Sequence, residues 1–579
     1  MKLSDYVIEF LAANGAGSVF EVCGGATTHL LDSLYGRKGI SVVSMHHEQA
    51  AAFAAEGYSR IGENVAVAMA TSGPGATNLI TGIASCYFDS IPCLFITGQV
   101  NAYEFKFDKP VRQVGFQETD IVNIVRPIVK SAMLVTDPAT IRYDLEKALF
   151  TARSGRPGPV LVDIPMNVQR SNVDRLRLKP FRGRHETGDS VNKAVKRVKG
   201  LIGSSRRPVI LAGGGVRLSH ATGELLRFVR ATGIPVVSSL MGLDAFPHTD
   251  PAFAGMIGTY GNRFANLAVA NADLVMALGT RLDTRQTGTR PETFARGAKI
   301  VHVDIDKNEL GHKVSSDIPV HSDIREFLIK LNDSICDYDR TRIRPWVSRV
   351  GEYRRRYSSG GSLSGNRITP EFLMRRLSAY LPDDAVICAD VGQNQMWSAQ
   401  YLNIRASQRF ITQGGMGAMG SALSMAIGAS FADPDRPVVV ITGDGGFQLN
   451  IQELQTVAHY DLPIKIVLLN NHCYGMVRQF QKQYFNSRFQ STVVGYSSPD
   501  FINVVSAYGI PSKKICRPGE AGGALKKLFD GPQAMFLEVD IKQDNLVLPK
   551  LSVNRPVEDQ EPLLSRRELK SCMCVDILK

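Results

Sequence analysis

Two oxygen-bearing side chains follow two neighbouring apolar runs in the last third of the chain. Asp444 lies in a Gly-Asp-Gly turn after the run 437–442, and Asn471 follows the run 464–469. Two parallel strands joined by a helix would bring both side chains to one edge of a sheet. A carboxylate and an amide oxygen suit Mg²⁺, which completes its coordination with water and phosphate oxygens. An ordinary turn is the alternative, but the paired motifs favour a magnesium–diphosphate site.

A further carboxylate, Glu48, stands where an apolar run (40–45) meets an Ala-rich helical segment (49–60). Ligands gather at such strand ends in open α/β sheets. The helix dipole alone would also favour a carboxylate there, and from this one residue that is the simpler interpretation. The Gly/Pro-rich loop 71–78 precedes a helix, and it either holds an anion at the helix start or merely turns the chain.

Glycines at 415, 417 and 420 spell GxGxxG between a predicted strand and a predicted helix. Taken alone this pattern is typical of an NAD site. The magnesium–diphosphate motif lies only one strand further on in the same predicted sheet. One composite site explains both features more simply than two separate sites.

The composition excludes several classes of protein. At 579 residues the chain is long enough for about three or four domains, and its 44% apolar and 21% charged residues are typical of a soluble globular protein. No apolar run reaches the ~18 residues that would span a bilayer. The nine cysteines form no paired CxxC pattern, which favours a reduced, cytoplasmic setting without disulfides. The chain has a net charge of +12, but it contains no basic run with interleaved aromatic residues. No nucleic-acid partner is therefore expected.

Alternating strand and helix patterns predict an α/β fold with three doubly wound parallel-sheet domains. The predicted domains are 1–175, 190–345 and 365–545, followed by a polar tail, 546–579, that packs over the surface. Polar linkers are expected at 169–190 and 353–366. Strands are predicted at 18–23, 40–45, 65–70, 93–97, 208–212, 235–240, 272–278, 299–303, 385–389, 409–412, 437–442, 464–469 and 537–541, and a loop followed by a strand is predicted within 154–165.

The middle domain has features of a dinucleotide site. Gly213, Gly214 and Gly215 follow one predicted strand, and Asp304 follows a later one. The glycines suit a pyrophosphate and the acid suits a ribose. Three consecutive glycines are a weaker signal than GxGxxG, and a spacer domain without a ligand is the alternative.

With these residues in hand, the chain resembles the thiamine-diphosphate-dependent enzymes, and within them the catalytic subunits of the acetolactate (acetohydroxyacid) synthases. The resemblance covers nearly the whole chain and implies the three-domain fold of the pyruvate oxidase and decarboxylase type. The motifs that carry it are HHEQAAAFAAEGYSR (46–60), TSGPGATN (71–78), SGRPGPVLVDIP (154–165), DVGQNQMW (390–397), GGMGAMG (414–420), GDG with NN (443–445, 470–471) and PKLSVNRPVEDQEPLL (549–564).

The resemblance implies a role for each matching residue of the thiamine diphosphate site. Glu48 would bind N1′ of the aminopyrimidine, so that N4′ can take the proton from the thiazolium C2. The Gly417 carbonyl would orient N4′, and Met419 would wedge between the rings. Asp444, Asn471 and the Cys473 carbonyl would hold Mg²⁺. The remaining residues implied at the cofactor are Gly25, Ser72, Pro74, Asn78, Gln393, Asn394, Gly443, Gly445, Gly446 and Met476.

The resemblance also implies FAD in the middle domain, in a family whose flavin is not needed for redox turnover. Phe116, Gln117 and Lys130 match residues near the substrate channel. Arg285 matches an arginine that grips the carboxylate of the second oxo acid. The residues at positions matching the FAD site are Arg156, Gly213, Gly214, Gly215, Gly255, Met256, Gly279, Arg281, Asp283, Arg285, Asp304 and Asp323.

The sequence departs from the family pattern at three places. The usual YPGG is Val22-Cys23-Gly24-Gly25, the usual GQH is Gly392-Gln393-Asn394, and the tryptophan of the acceptor pocket is Phe480. Three fragments are also similar to yersiniose-type carboligases, which are thought to add an acetyl unit to a keto-deoxysugar nucleotide. The fragments are RQVGFQETDIVNIVRPI, NRFANLAVANADL and RLDTRQTGT.

The expected function is a carboligase that decarboxylates a 2-oxo acid, pyruvate, and adds the resulting hydroxyethyl carbanion to a second carbonyl compound. The acceptor is either a second 2-oxo acid or a sugar ketone. A flavin-using oxidase of the pyruvate oxidase type and a non-catalytic homologue are the alternatives. The family's active site lies across a subunit interface, so a homodimer or homotetramer is expected, with no membrane partner.

Overall fold

The computed structural model describes residues 1–62, 64–183, 191–335, 338–358 and 366–578. Three six-stranded sheets follow one another along the chain, and all neighbouring strands within each sheet are parallel. Helices cover both faces of these sheets, so the predicted α/β class with three doubly wound domains is confirmed. The central strands of the sheets are almost wholly buried, as coverage of both faces requires.

The first sheet has the strand order β2-β1-β3-β4-β6-β5. Its strands are β1 (Ser18–Val22), β2 (Ser41–Ser44), β3 (Ala66–Ala70), β4 (Cys93–Gln99), β5 (Ser131–Leu134) and β6 (Val160–Pro165). The helices around it are α1 (Leu3–Ala13), α2 (Thr28–Leu34), α3 (Glu48–Ile61), α4 (Pro74–Asn78), α5 (Ile80–Asp89), α6 (Ile121–Val125), α7 (Ile141–Arg153) and α8 (Met166–Gln169).

The second sheet has the order β12-β11-β10-β7-β8-β9. Its strands are β7 (Pro208–Ala212), β8 (Val236–Ser238), β9 (Phe253–Met256), β10 (Leu274–Leu278), β11 (Lys299–Asp304) and β12 (Ile318–His321). The helices are α9 (Val191–Ser204), α10 (Gly214–Leu218), α11 (Thr222–Thr232), α12 (Arg263–Ala270), α13 (Thr284–Thr287), α14 (Ile324–Ser334) and α15 (Arg344–Tyr357).

The third sheet has the order β14-β13-β15-β16-β18-β17, which repeats the connectivity of the first. Its strands are β13 (Val386–Ala389), β14 (Arg409–Ile411), β15 (Val438–Gly443), β16 (Lys465–Asn470), β17 (Ser512–Ile515) and β18 (Met535–Asp540). The helices are α16 (Pro370–Tyr380), α17 (Gln393–Tyr401), α18 (Ser421–Ala432), α19 (Asp444–Phe447), α20 (Leu454–His459), α21 (Gly475–Tyr484), α22 (Phe501–Ala507) and α23 (Ala521–Phe529).

The C-terminal tail is more than a surface covering, which corrects the sequence prediction. It forms the antiparallel pair β19 (Lys550–Leu551) and β20 (Gln560–Glu561), then helix α24 (Arg566–Cys572). Four of its apolar side chains are buried in the core of the middle domain: Leu551, Val557, Leu569 and Cys572. These apolar residues are scattered singly through a polar segment, so no period in the sequence reveals their shared burial.

The linkers predicted at 169–190 and 353–366 lie only partly within the described residues. Residues 184–190 and 359–365 fall outside them. The start of the second segment is not a linker, because Tyr353 belongs to α15 and is buried against Trp346. Arg354, Arg355 and Arg356 lie in the last turn of α15, where the helix dipole favours cations.

Helices α3 and α18 join the first and third domains through a very close crossing. A Cβ atom added to Gly57 would lie 2.1 Å from the carbonyl oxygen of Met425. One added to Gly428 would lie 1.8 Å from the carbonyl oxygen of Ala54. Only glycine lets two helix backbones approach this closely, so these two positions fix how the two domains dock.

Within the described ranges, we find no helix with both the length and the apolar character needed to cross a membrane.

Candidate active site

The carboxyl ends of β15 and β16 bring the predicted magnesium ligands together. The two strands are neighbours, and Gly443 pairs with Leu469. The Asn471 amide nitrogen donates to Gln393 Oε1 at 3.0 Å. In that orientation its oxygen faces Asp444 Oδ1 at 3.0 Å and the Cys473 carbonyl oxygen at 2.9 Å. Three oxygen atoms therefore converge with no proton between them.

This spacing fits an octahedral cation. Ligands of Mg²⁺ lie about 2.1 Å from the ion, so adjacent ligand oxygens are separated by about 3.0 Å. If the Asn471 amide is turned over, its nitrogen donates to Asp444 and to the Cys473 carbonyl instead. That orientation satisfies the same atoms without a cation, but it places the Asn471 oxygen 3.0 Å from Gln393 Oε1. The hydrogen bond to Gln393 therefore favours the cation-binding orientation.

Asp444 is almost completely buried, with 1% of its surface exposed. Burial raises the pKa of its carboxyl to about 6, against the opposing effect of a hydrogen bond from Tyr496. A buried carboxylate without a positive partner is unfavourable, and a divalent cation would relieve this cost.

Two glycines that pack closely against protein side chains and one helix start lie next to these oxygens. A Cβ atom at Gly445 would lie 2.5 Å from the Tyr474 ring, and one at Gly446 would lie 2.1 Å from Asp390 Oδ2. The nearby helix α17 begins at Gln393 after Gly392. Backbone N–H groups at a helix start attract phosphate groups.

Gln393 and Asn394 turn their side-chain N–H groups toward protein atoms. Gln393 Nε2 donates to Gln479 Oε1 at 3.2 Å and to the Asn545 carbonyl at 3.1 Å. Asn394 Nδ2 donates to the Asp390 carbonyl at 2.7 Å. A diphosphate at this helix start would therefore meet backbone N–H groups, while the two amides support the surrounding loops.

Asp390 is a positioning residue that the sequence analysis did not select. Its carboxylate accepts from the backbone N–H of Gly420 at 2.9 Å and from that of Ser421 at 3.2 Å, which caps helix α18. It also accepts from Thr442 Oγ1 at 3.1 Å. The glycine loop before α18 and the turn around Asp444 are thus tied to one buried group. The only available sequence signal was the Asp at the end of the run 385–389.

Glu48 begins helix α3, as the sequence predicted for a strand-to-helix junction. Its Oε2 accepts from Asn78 Nδ2 at 2.9 Å. A Cβ atom at Gly75 would lie 3.3 Å from Glu48 Oε1, so the glycine leaves that oxygen accessible from the loop. The side chain is half-buried. The carboxylate therefore has one fixed contact and one oxygen free for a ligand among its described contacts.

The third domain supports the backbone next to Glu48 within the same chain. The fully buried Glu453 accepts from the His46 N–H at 3.0 Å. Asn450, three residues before Glu453, donates to the Gly420 carbonyl at 2.9 Å. One short segment thus contacts both the Glu48 turn and the glycine loop before α18. Sequence reasoning missed Glu453 because it lies in a helical segment with no motif of its own.

The loop 414–420 presents its central residues to solvent. Gly417 is exposed with φ of 68°, and Met419 is half-buried. The loop is fixed at its start because Asp89 accepts from the N–H groups of Gly414 at 3.0 Å and Gly415 at 2.8 Å. The exposed Gly417 and the half-buried Met419 therefore lie where they can meet a ligand, whereas the Gly420 carbonyl accepts from Asn450.

The other residues assigned to this cofactor lie in the two facing domains. Ser72 is buried, and Pro74 is the first residue of α4. Gly25 begins a 3₁₀ turn after β1. Met476 is half-buried at the start of α21, beside the magnesium-binding turn.

The residues assigned to the substrate channel are not all brought together within one chain. Gln117 has φ of 63° and packs on Gly73 of the loop 71–78, near Glu48. Phe116 is 87% exposed. Lys130 precedes β5 at the amino end of the strand, whereas Glu48 follows the carboxyl end of β2. The Lys130 ammonium group donates to the Ser154 carbonyl at 2.5 Å, and burial lowers the pKa of Lys130 to about 8.

A cavity of about 410 Å³ lies beside the middle sheet and collects most of the residues assigned to FAD. Those that line it are Arg156, Gly214, Gly215, Met256, Gly279, Arg281, Asp283, Arg285 and Asp304. Gly213 lies behind it, where a Cβ atom would come 2.1 Å from the Gly279 carbonyl oxygen. Gly255, with φ of 89°, precedes Met256.

Asp304 and Arg156 are two oppositely charged residues that line this cavity. Burial raises the pKa of the Asp304 carboxyl to about 6. Arg156 donates to Glu309 Oε1 at 2.7 Å and contacts Asp306 at 3.3 Å. Asp323 lies apart from this cavity, where it caps helix α14 by accepting from the Glu326 N–H at 3.1 Å.

Arg285 and Phe480 are the two positions that the family resemblance linked to the acceptor, and each lies beside an aromatic ring. The Arg285 guanidinium lies 5.9 Å from the centroid of the Tyr260 ring. Phe480 is 46% exposed, and its ring lies 4.7 Å from that of Tyr484. Position 285 therefore carries a cation, and position 480, in the middle of α21, carries a partly exposed aromatic ring.

Comparison with known families matches all three domains. Residues 1–124 match the model described as "Thiamine pyrophosphate enzyme, N-terminal TPP binding domain", and residues 195–331 match its "central domain". Residues 390–539 match "Thiamine pyrophosphate enzyme, C-terminal TPP binding domain". Thiamine pyrophosphate is another name for thiamine diphosphate. The fold is therefore that of a thiamine pyrophosphate enzyme.

Similarity to individual proteins narrows the class. The chain is 38% identical to acetolactate synthase 2, chloroplastic, of Nicotiana tabacum over 95% of this chain and 83% of that protein. It is 37% identical to acetolactate synthase 1, chloroplastic, of Oryza sativa, over 95% of this chain and 86% of that protein. It is 36% identical to the chloroplastic acetolactate synthase of Arabidopsis thaliana, over 95% of this chain and 83% of that protein. The chain belongs to the acetolactate synthase family.

Proposed function

We propose that the protein decarboxylates pyruvate and joins the remaining two-carbon unit to a second carbonyl compound. The observation that carries this proposal is the intact pair of sites. One is Glu48 with an accessible oxygen, and the other is the three converging oxygens of Asp444, Asn471 and Cys473. When bound, thiamine diphosphate would supply the carbon nucleophile for both steps.

The chain's own groups bind, orient and exchange protons. Asp444, Asn471 and the Cys473 carbonyl would hold Mg²⁺, and the start of α17 would receive the phosphates. Glu48 would hold a proton at the ring nitrogen of the aminopyrimidine, and Asn78 fixes the direction of its carboxylate at 2.9 Å. The Gly417 carbonyl would accept from the amino group of the same ring.

We infer that the active unit is a homo-oligomer, with the active site completed across the interface. Supporting this, the loop before Gln117 exposes several large apolar side chains, including Phe107 at 52%, Val114 at 46% and Phe116 at 87%. Exposed apolar residues clustered in one loop are typical of an interaction surface. The choice between a dimer and a tetramer, and the cytoplasmic location, remain predictions.

The acceptor that the site supports best is a second 2-oxo acid, bound through its carboxylate by Arg285. Arginine suits a carboxylate because its planar fork offers paired donors. Phe480 and Tyr484 are both partly exposed, at 46% and 41%, beside this arginine's domain. This aromatic surface keeps a keto-deoxysugar nucleotide as the second candidate, since a sugar or base stacks on aromatic faces.

Incubation of the protein with pyruvate, thiamine diphosphate and Mg²⁺ should release CO₂ and give acetolactate, detected by mass spectrometry. One CO₂ is expected for each acetolactate formed. A parallel reaction with pyruvate and a nucleotide-linked 4-keto-deoxysugar decides the acceptor by the mass of the product. Failure to release CO₂ would contradict the proposal, and flavin bleaching on anaerobic addition of pyruvate would favour oxidase chemistry instead.

We further propose that the 410 Å³ cavity of the middle domain binds FAD, with Asp304 accepting from ribose hydroxyls. Burial raises the pKa of Asp304 to about 6, so its carboxyl is ionised above that pH and protonated below it. The protonated form is the poorer acceptor. FAD affinity, measured by equilibrium dialysis, should therefore fall as the pH is lowered from about 7.5 to about 5.

The variant Asp304→Asn tests the origin of this pH dependence. It should bind FAD more weakly at pH 7.5 than the wild type does, and its affinity should change little down to pH 5. A variant that keeps the full pH dependence would assign it to another group.

A further inference from the structure

We propose that Tyr496 is a positioning residue that fixes Asp444 in the orientation that binds a divalent cation. This inference rests on the proposed magnesium–diphosphate site. It concerns a residue in an irregular segment between α21 and α22, which no motif in the sequence singles out.

The two oxygens of Asp444 have separate partners. Tyr496 Oη donates to Oδ2 at 2.6 Å. The other oxygen, Oδ1, lies 3.0 Å from the Asn471 side-chain oxygen and faces the proposed cation position. A carboxylate held at one oxygen cannot rotate freely, so the hydroxyl determines where the cation-facing oxygen points. Outer hydrogen bonds of this kind orient metal ligands in many sites.

The donor is neutral, and this matters for a cation site. A lysine or arginine in its place would cancel the charge of Asp444 and compete with the metal. A phenol hydroxyl orients the carboxylate while leaving its negative charge available. A second neutral donor lies next to this pair, because Gln448 Nε2 donates to the Asp444 backbone carbonyl at 3.2 Å and to Tyr496 Oη at 3.5 Å.

The Tyr496 ring packs against the turn that follows Cys473, the residue whose carbonyl is another candidate metal ligand. The Tyr496 ring meets the Tyr474 ring edge to face, with centroids 4.7 Å apart. Tyr474 directly follows Cys473, and its N–H donates to the Thr492 carbonyl at 3.1 Å. The Tyr474 ring in turn occupies the space above Gly445, where a Cβ atom would lie 2.5 Å from it. Tyr496, Asp444 and the Cys473 turn therefore form one packed unit.

The variant Tyr496→Phe removes the hydrogen bond and keeps the ring. Losing such an outer contact typically weakens metal binding by about 10- to 100-fold. We would strip the protein of metal with EDTA, add a fixed concentration of thiamine diphosphate, and titrate MgCl₂. The thermal unfolding midpoint at each concentration reports binding without requiring catalysis, because a ligand that binds only the folded state raises it.

Tyr496→Phe should need about 10- to 100-fold more Mg²⁺ for a half-maximal shift, and excess Mg²⁺ should restore the full wild-type shift. Tyr508→Phe is the matched control, because it makes the same change at a half-buried tyrosine of the same domain. This control should titrate like the wild type.

Three results would overturn the inference. One is an unchanged half-saturating Mg²⁺ concentration in Tyr496→Phe. Another is a lowered metal-free midpoint with unchanged Mg²⁺ dependence, which would make the contact purely structural. The third is a wild type that shows no Mg²⁺-dependent shift, which would remove the magnesium–diphosphate site and with it the proposed function. Only this last result touches the proposed function, so the two failures are distinguishable.

Discussion

Glu48→Gln is expected to lower the rate of pyruvate decarboxylation by about 10²- to 10⁴-fold, the range typical of losing a general acid or base. Glutamine matches glutamate in size and can still accept the hydrogen bond from Asn78, which spans 2.9 Å. The fold at the start of α3 should therefore survive. What the variant loses is a carboxylate that can hold a proton at the cofactor's ring nitrogen.

The measurement is CO₂ release from pyruvate at saturating thiamine diphosphate and Mg²⁺, with the unfolding midpoint as a check on the fold. Glu352→Gln is a suitable control, because the same change is made at a surface carboxylate on α15 whose side chain is 51% exposed. This control should keep wild-type activity. If Glu48→Gln retained activity within a few-fold of wild type, Glu48 could not be the group that moves the proton.

Gly428→Ala should be strongly destabilising, although it adds a single methyl group. That methyl carbon would lie 1.8 Å from the Ala54 carbonyl oxygen, and backbone atoms cannot be displaced as easily as side chains. Ordinary overpacking costs about 1–3 kcal/mol, and this contact lies at the upper end of that range or beyond it. For domains of this size we expect the unfolding midpoint to fall on the order of 10 °C, or the soluble protein to be lost.

The same substitution at Gly523 should have the opposite effect. Gly523 is an exposed residue within α23, and a Cβ atom there would have no neighbour within 4 Å. Alanine is favoured over glycine in a helix by roughly 0.5–1 kcal/mol. Thermal unfolding of the two variants under identical conditions is the measurement. Equal midpoints would contradict the idea that the α3–α18 crossing depends on backbone contact.

The sequence by itself determined the class of fold and predicted that Asp444 and Asn471 lie at one sheet edge. The strands at the sheet centres are fully buried on both faces, so their sequences are continuous apolar runs that are easy to read. Asp444 and Asn471 were predicted to meet because parallel strands end at a common sheet edge, and their register confirms that geometry. This part of the site was predictable because each side chain directly follows the strand that positions it, so the strand and the motif can be read from one short stretch of sequence.

The sequence was weakest at the sheet edges. Four strands that it did not predict, β5, β9, β12 and β17, all lie at an edge of their sheet. β5 is half-buried along its whole length, and β12 and β17 mix buried with exposed residues. Edge strands have solvent on one side, so their residues need not form the unbroken apolar runs that mark central strands.

Only the tertiary structure decided which distant groups support the site. Asp390 ties two loops together, Glu453 supports the backbone before Glu48, and Tyr496 holds Asp444. Each acts through a hydrogen bond to a residue at least 30 positions away in the chain, and the shortest separation is that of the pair Asp390–Gly420. Such contacts leave no period or motif in the sequence, because their geometry exists only after the chain has folded.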